Sequence, residues 1–154
     1  SQWNGNFKPF NDSKFDDKIM YTCHRYGGEP TPAAIQNFIN FRDSVNLPMY
    51  MVEIGHNTNE WQAAFCQTMR DNNIGYTFWL YKKMDGSSFV GITPPENWAN
   101  IVYFSEAPRA TYKEIREARP EQAMARKAMM DFIEACKLKN CVVQEGYIQS
   151  LGMK

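Results

Sequence analysis

A glutamate lies inside an apolar stretch of this sequence, where a charged side chain is costly. In PMYMVEIGHNTNEW, residues 48–61, Glu53 is flanked by residues typical of a buried strand. Moving a carboxylate out of water is unfavourable unless the group is paired or becomes neutral. A carboxylate held in this way suits a nucleophile or a general acid/base. The alternative is a structural role, in which Glu53 only joins two strands through hydrogen bonds.

Further polar and aromatic residues lie near the ends of neighbouring apolar runs. His24 and Tyr26 are two residues apart, which places both side chains on one face of a strand. Trp79 could fill the core or form a surface on which a sugar ring packs. His56 is more typical of a loop than of a ligand. A divalent metal held by His24, Glu53 and His56 is disfavoured, because no second carboxylate accompanies them.

The order of the predicted elements explains how these residues can meet. Strand composition predicts strands over 18–25, 49–55 and 75–82, and helical spacing predicts helices over 31–45 and 59–72. This alternation favours parallel strands joined by right-handed crossovers in an α/β fold. The runs MYMV and TFWL suit strands that are buried on both faces. In such folds, chemistry gathers at the C-terminal ends of the strands.

The pattern changes after residue 83. A loop is followed by three segments that predict helices, PPENWANIVYF, RATYKEIREA and PEQAMARKAMMDFIEACKLK. The longest carries an apolar stripe of Ala123, Ala128, Met129, Phe132, Ile133 and Ala135. We expect these helices to contribute packing rather than chemistry. The chain is expected to form one unit over 1–154, with strand/helix repeats over 1–83 and a loop and closing helices over 84–154.

Charge and composition narrow the classes of partner. With 17 basic and 17 acidic residues the formal net charge is zero, which argues against nucleic-acid and anionic-membrane partners. Apolar runs are shorter than the roughly 20 residues of a membrane helix, and the polar opening is unlike a signal peptide. The four cysteines contain no CxxC pair, so neither a zinc site nor a redox motif is indicated. We expect neither a metal nor another cofactor.

Three motifs, taken together and in order, resemble the last three strands of glycoside hydrolase family 5. They are the His-x-Tyr of YTCHRYGG, the glutamate of MYMVEIGHNTNEW and the tryptophan of IGYTFWLYKK. Members of this family are retaining β-glycanases on a TIM (β/α)₈ barrel. The opening QWNGNFKPF resembles the end of strand 5, and the C-terminal part resembles bacterial endoglucanase-like members. The resemblance implies half of a TIM barrel, from the end of strand 5 through strand 8, with C-terminal helices.

The resemblance also implies roles for the residues that match the motifs. Glu53 would attack the anomeric carbon as the nucleophile, while His24 and Tyr26 hold it through hydrogen bonds. The residues expected to bind substrate are Trp79, Trp3 and His56. The implied substrate is a cellulose-like or mixed-linkage β-glucan, with xyloglucan or mannan as alternatives. Polysaccharide degradation of this kind implies an extracellular or periplasmic location.

One catalytic group of the family has no counterpart in this sequence. Retaining hydrolysis needs two carboxyl groups about 5 Å apart, and the family's acid/base lies on strand 4. Asn59-Glu60 repeats the family's dipeptide, but Glu60 is expected to favour a helix N-terminus instead. We therefore expect negligible hydrolysis by the chain alone. A complementary N-terminal half or a second copy of the chain would be required, and the alternative is a non-catalytic carbohydrate-binding or structural fragment.

Overall fold

Two compact units make up the chain. The computed structural model describes residues 16, 18–84 and 86–153. The first unit contains the described residues up to Phe89 together with those from Gln144 onward, and the second is Val90–Val143. The predicted change of pattern at residue 84 therefore falls within the first unit.

The first unit is built on a parallel sheet of three strands. These are β1 (Tyr21–Arg25), β2 (Met49–Gly55) and β3 (Gly75–Trp79), in the order β1-β2-β3. Both neighbouring pairs are parallel, which confirms the predicted strand directions. Within the described residues the sheet is open. The mixed α/β class is thus confirmed.

Each crossover between these strands contains a helix. A 3-10 turn at Pro32–Ile35 leads into α1 (Gln36–Val45), and α2 (Asn59–Asp71) follows β2. The proline at the first helical position suits its fixed φ angle and its lack of an N–H donor. The Thr58 hydroxyl accepts a hydrogen bond from the Trp61 backbone N–H at 3.2 Å and caps α2. Both helices predicted from their apolar spacing are present.

The core lies between the sheet and these helices. Its fully buried side chains include Cys23, Ile35, Phe38, Met51, Ile54, Phe65, Cys66 and Met69. Burying a large apolar side chain stabilises the fold by about 1.5–3 kcal/mol. The interpretation of TFWL as buried on both faces was wrong, because β3 alternates exposed and half-buried positions. Among the described strands, β3 lies at an edge of the sheet.

The last residues of the chain belong to the first unit. The first unit also contains a two-residue strand after β3, which is β4 (Lys82–Lys83). A short C-terminal helix spans Glu145–Ser150 and carries Tyr147, which is fully buried. The Tyr147 ring meets Phe78 edge-on, with centroids 6.0 Å apart. Sequence periodicity did not predict this helix.

The second unit consists of helices and a short strand pair. Its elements are β5 (Val90–Gly91), α3 (Trp98–Glu106), α4 (Tyr112–Ala118), α5 (Gln122–Ala135) and β6 (Val142–Val143). The C-terminal helix of the first unit, Glu145–Ser150, is α6. Strands β5 and β6 pair antiparallel. The expected apolar stripe of α5 is only partly buried, since Ala128 is buried whereas Met129 and Ile133 are exposed. Trp98 and Phe132 stack with centroids 4.5 Å apart.

Candidate functional site

A β-bulge in β2 sets the position of Glu53. Cys23 pairs with Met51 and His24 pairs with Glu53, so Val52 is an extra residue in β2. The register of β2 against β3 also shifts over this region. A bulge bends its strand and changes where the following side chain points. Glu53 consequently keeps 27% of its side chain exposed near the C-terminal end of a largely buried strand.

Two side chains from β1 and the loop after it hold one oxygen of Glu53. The Tyr26 hydroxyl donates a hydrogen bond to Glu53 Oε2, and His24 Nδ1 lies 3.3 Å from the same oxygen. Both contacts are made to Oε2, so neither engages Oε1. We call Glu53, His24 and Tyr26 the Glu53 cluster. The residues predicted from sequence to be catalytic therefore lie together.

The environment of Tyr26 keeps its hydroxyl protonated. Burial raises the pKa of Tyr26, and the hydrogen bond to Glu53 and the charge of that carboxylate raise it further. An ionised phenol beside a carboxylate would add repulsion between like charges. The phenol thus remains a hydrogen-bond donor at neutral pH. This bond restricts the orientation of the carboxylate.

The loop that carries Tyr26 is attached to the loop and helix after β2. Asn57 Nδ2 donates to the Tyr26 carbonyl at 3.1 Å, and Trp61 Nε1 donates to the Gly28 carbonyl at 2.6 Å. The Asn57 side chain also accepts from the backbone N–H of Thr58 at 2.8 Å. Neither Asn57 nor Trp61 was part of the predicted site. An asparagine in the turn after a strand is the sequence signal that could have indicated it.

An open cavity of about 420 Å³ adjoins the Glu53 cluster through Tyr26. It is lined by Tyr26, His56, Trp79, Leu80 and Lys83. The Trp79 side chain is 48% exposed. The volume is in the range of small-molecule sites, which combine apolar surface with a few polar groups. We call this space the aromatic cavity.

His56 lies in the turn directly after β2 and is paired with a lysine. Its φ of 52° is left-handed, and Gly55 before it has a φ of 118°. His56 Nδ1 lies 2.7 Å from Lys83 Nζ. Because an ammonium group only donates, Nδ1 accepts this bond and the ring carries its proton on Nε2. The loop position is confirmed, and the role of His56 in substrate binding stays a prediction.

The remaining sequence predictions fall outside this cluster. Trp3 lies outside the described residues. Glu60 is in the first turn of α2, where a backbone hydrogen bond and the Thr58 hydroxyl lower its pKa. This position agrees with the expectation that Glu60 favours a helix N-terminus.

The described residues contain neither a cluster of metal ligands nor a membrane-spanning helix. Over residues 16, 18–84 and 86–153, no group of three or more His, Cys, Asp or Glu side chains is placed to hold a metal ion. Over the same residues, no helix is long and apolar enough to cross a membrane.

Comparison of the chain with protein-family models, with curated proteins and with solved structures gave no match. The case for a function rests on the Glu53 cluster and the aromatic cavity. Together they combine a hydrogen-bonded carboxylate, a phenol donor and a half-exposed tryptophan at the C-terminal ends of parallel strands. This combination suits attack on, or binding of, a polar ring-shaped ligand.

Proposed function

We propose that this chain is the nucleophile-bearing C-terminal half of a retaining β-glycoside hydrolase of the endoglucanase type. The observation that carries the proposal is the Glu53 cluster, in which Tyr26 and His24 both engage Oε2 beside the aromatic cavity. The resemblance of the three strand-end motifs to glycoside hydrolase family 5 supports the same assignment. The proposed substrate is a β-glucan or a related polysaccharide, and the proposed location is extracellular or periplasmic.

Glu53 is the proposed nucleophile. With Oε2 occupied by its two partners, Oε1 attacks the anomeric carbon and forms a glycosyl ester. The bond from the anomeric carbon to the leaving oxygen breaks, and that oxygen takes the electron pair. A second carboxyl group must protonate the leaving oxygen and later activate water. The proposal assigns that group to a partner chain.

Trp79 is the proposed surface for the sugar ring. Its indole is 48% exposed and lines the aromatic cavity. Aromatic rings bury a large apolar area, and the C–H face of a pyranose fits against them. The Nε2–H of His56 and the ammonium of Lys83, which line the same cavity, supply donors for sugar hydroxyls.

The half-barrel is the proposed architecture. The three parallel strands β1, β2 and β3 correspond to strands 6 to 8 of a closed (β/α)₈ sheet. In the described part of the chain, β1 and β3 lie at the edges of the sheet. Open edges present unpaired backbone groups that favour association with another chain. A complementary N-terminal half, or a second copy of this chain, would pair with them.

A mechanism-based label tests the nucleophile directly. The probe is a dinitrophenyl β-cellobioside in which fluorine replaces the 2-hydroxyl of the sugar at the reacting carbon. Its dinitrophenolate leaving group departs without protonation. It would be applied to a complex of this chain with the N-terminal half of a family 5 endoglucanase. We expect one glycosyl adduct per chain by intact mass, located on Glu53 by peptide mapping. Glu53→Gln should abolish the adduct, and Glu60→Gln, which changes an exposed carboxylate, should retain it.

Turnover by the same complex provides the second readout. We expect hydrolysis of an aryl β-cellobioside in the mixture and negligible hydrolysis by either half alone. Glu53→Gln should lower the rate by about 10³-fold or more. When two carboxylates act as a unit, removing one abolishes most of the rate enhancement that both provide. A folded, co-purifying complex that forms neither adduct nor product would contradict the proposal.

A non-catalytic carbohydrate-binding fragment is the second candidate. It is favoured by the exposed Trp79 in the aromatic cavity, because a ring surface can bind a sugar without a second carboxyl group. Calorimetric titration with cellotetraose separates the two functions. A binding fragment would retain its affinity in Glu53→Gln and lose it in Trp79→Ala, with no turnover in any mixture.

A further inference from the structure

A buried tyrosine from the C-terminal helix contacts the backbone of Trp79. Tyr147, in α6, is 1% exposed, and its hydroxyl donates to the Trp79 carbonyl at 3.4 Å. Burial raises the pKa of Tyr147 to about 12. The phenol is therefore neutral and able to donate over the physiological pH range. This contact joins α6 to the end of β3, whose last residue is Trp79.

The Trp79 carbonyl also lies close to the backbone of Gly55. Gly55 of β2 pairs with Trp79 and has a φ of 118°. A Cβ on Gly55 would lie 2.6 Å from the Trp79 carbonyl oxygen and 3.0 Å from the Tyr147 hydroxyl. It would also lie 3.2 Å from Gln62 Oε1. Glycine is required here both by its backbone angle and by the close approach of three polar groups.

A second set of buried bonds fixes the tyrosine itself. Gln62, in α2, is fully buried, and its amide donates to the Ser150 hydroxyl at 2.8 Å. The Ser150 hydroxyl in turn donates to the Tyr147 carbonyl at 2.7 Å. These two bonds link the Gln62 side chain to the backbone of Tyr147 through Ser150. The position of Tyr147 is thus set by α2 and α6 together.

We propose that Tyr147 is a positioning residue for Trp79, and that α6 thereby sets the orientation of the aromatic surface in the cavity. Because half of the indole is exposed, its own packing restrains it less than a core side chain. Its orientation depends on the backbone that Tyr147, Gln62 and Gly55 hold. The role in glycan binding rests on the proposed function, whereas the positioning of Trp79 does not.

Fluorine NMR of the full chain labelled with fluorotryptophan tests the positioning. The chain has four tryptophans, and Trp79→Phe identifies the Trp79 resonance. Tyr147→Phe removes the hydroxyl and keeps the ring. Tyr50→Phe is the matched control. The Tyr50 hydroxyl donates at 3.1 Å to the carbonyl of Tyr76, which lies in β3, the strand that carries Trp79. We expect the Trp79 resonance to shift and broaden in Tyr147→Phe and to stay in place in Tyr50→Phe.

An unmoved Trp79 resonance in folded Tyr147→Phe would overturn the inference, as would an equal shift in Tyr50→Phe. If Tyr147→Phe fails to fold, Gln62→Met is the second variant. It keeps the side-chain volume and removes the amide beside Gly55 and Tyr147. The same shift of the Trp79 resonance is expected, and its absence would overturn the inference equally.

Titration of the complemented protein with cellotetraose separates this inference from the proposed function. We expect Tyr147→Phe to weaken binding about threefold to tenfold, as loss of one buried hydrogen bond does, with no change in Tyr50→Phe. If the Trp79 resonance moves but no form binds glycan, the positioning role stands and the proposed function fails. If wild type and Tyr147→Phe bind equally and the resonance is unmoved, the inference fails and the proposed function stands.

Discussion

The two compact units of this chain are stabilised in different ways. In the first, side chains far apart in sequence, such as Phe38 and Phe65, are fully buried in one cluster. In the second, as far as the chain is described, α3 and α4 have no buried residue and α5 has only Ala128. The contacts described there include the capping box of Thr111 and Glu114 and the stack of Trp98 on Phe132. The candidate site lies in the unit whose long-range packing can hold side chains in fixed positions.

Thiol reactivity should give the largest difference between the units. Burial raises the pKa of Cys23 to about 12 and that of Cys66 to about 11, and both are fully buried in the first unit. Cys141, in the second unit, is half-buried. We expect iodoacetamide to modify Cys23 and Cys66 about 10³-fold more slowly than Cys141, because they react only when the structure opens. Peptide mass spectrometry over time measures the rates.

Two controls define that comparison of thiols. In concentrated urea the buried and half-buried cysteines should react at similar rates, since the protection comes from folding. Cys141→Ser should remove the fast-reacting Cys141 peptide and leave the slow Cys23 and Cys66 peptides unchanged. Similar rates in the native protein would contradict a difference in packing between the units.

Truncation of a core residue should give the next largest effect. Phe65 is fully buried and stacks on Trp61 with centroids 4.7 Å apart. Phe65→Ala should lower the free energy of unfolding by about 3–5 kcal/mol, through lost burial and a cavity. Met130→Ala, at a side chain 57% exposed in the second unit, should change it by less than about 0.5 kcal/mol. Urea denaturation measures both, and a comparable loss in Met130→Ala would show that the α5 surface is packed.

Alkaline pH should destabilise the first unit through its tyrosines. The pKa values of Tyr26 and Tyr147 are raised in the folded state, whereas unfolded tyrosines ionise near pH 10. Above about pH 10 the unfolded chain releases protons that the folded chain retains, so the free energy of unfolding falls as pH rises. Urea midpoints from neutral pH to about pH 12 should follow this decline.

Tyr147→Phe sharpens the pH experiment. Without the phenol at position 147, the decline toward pH 12 should become shallower, although the variant is less stable at neutral pH. An unchanged slope would show that other buried groups, such as the Cys23 thiol, carry the pH dependence.

Removal of helix caps should give the smallest effect and a similar one in both units. Thr58 caps α2 in the first unit, and Thr111 caps α4 in the second. Each change to alanine should cost about 1 kcal/mol and speed hydrogen exchange in the first turn of its own helix. Markedly different costs would mean that local capping, and not only core packing, distinguishes the units.

Most elements of the fold could be predicted because their signals are local. The helices over 36–45 and 59–71 have apolar residues at helical spacing. A proline begins the 3-10 turn before the first, and a threonine caps the second. The strands have β-rich composition, and β2 ends at Gly55. The burial of α5 could not be predicted, because an apolar stripe is buried only where tertiary structure provides a partner for it. The six-residue helix α6 is too short to produce a period.

The candidate site was predictable to the extent that it follows from strand order. His24, Tyr26 and Glu53 meet because parallel neighbouring strands bring their C-terminal ends together. The extra residue at Val52 was not predictable, since a bulge is defined by pairing with another strand. Contacts such as that of Tyr147 with Trp79 depend on packing across the chain, which one-dimensional patterns do not contain.

The separation of Trp79 from Tyr147 along the chain has a consequence for synthesis. The two residues touch, yet Tyr147 follows Trp79 by 68 positions, and the entire second unit lies between them in sequence. At translation rates of about 5–20 residues per second, Tyr147 is added roughly 3 to 14 s after Trp79. The nascent chain can therefore form β1, β2 and β3 before the residue that anchors Trp79 exists. The contact between Tyr147 and Trp79 can therefore form only after the second unit has been synthesised, and a chain released before residue 147 carries the Glu53 cluster without its anchored indole.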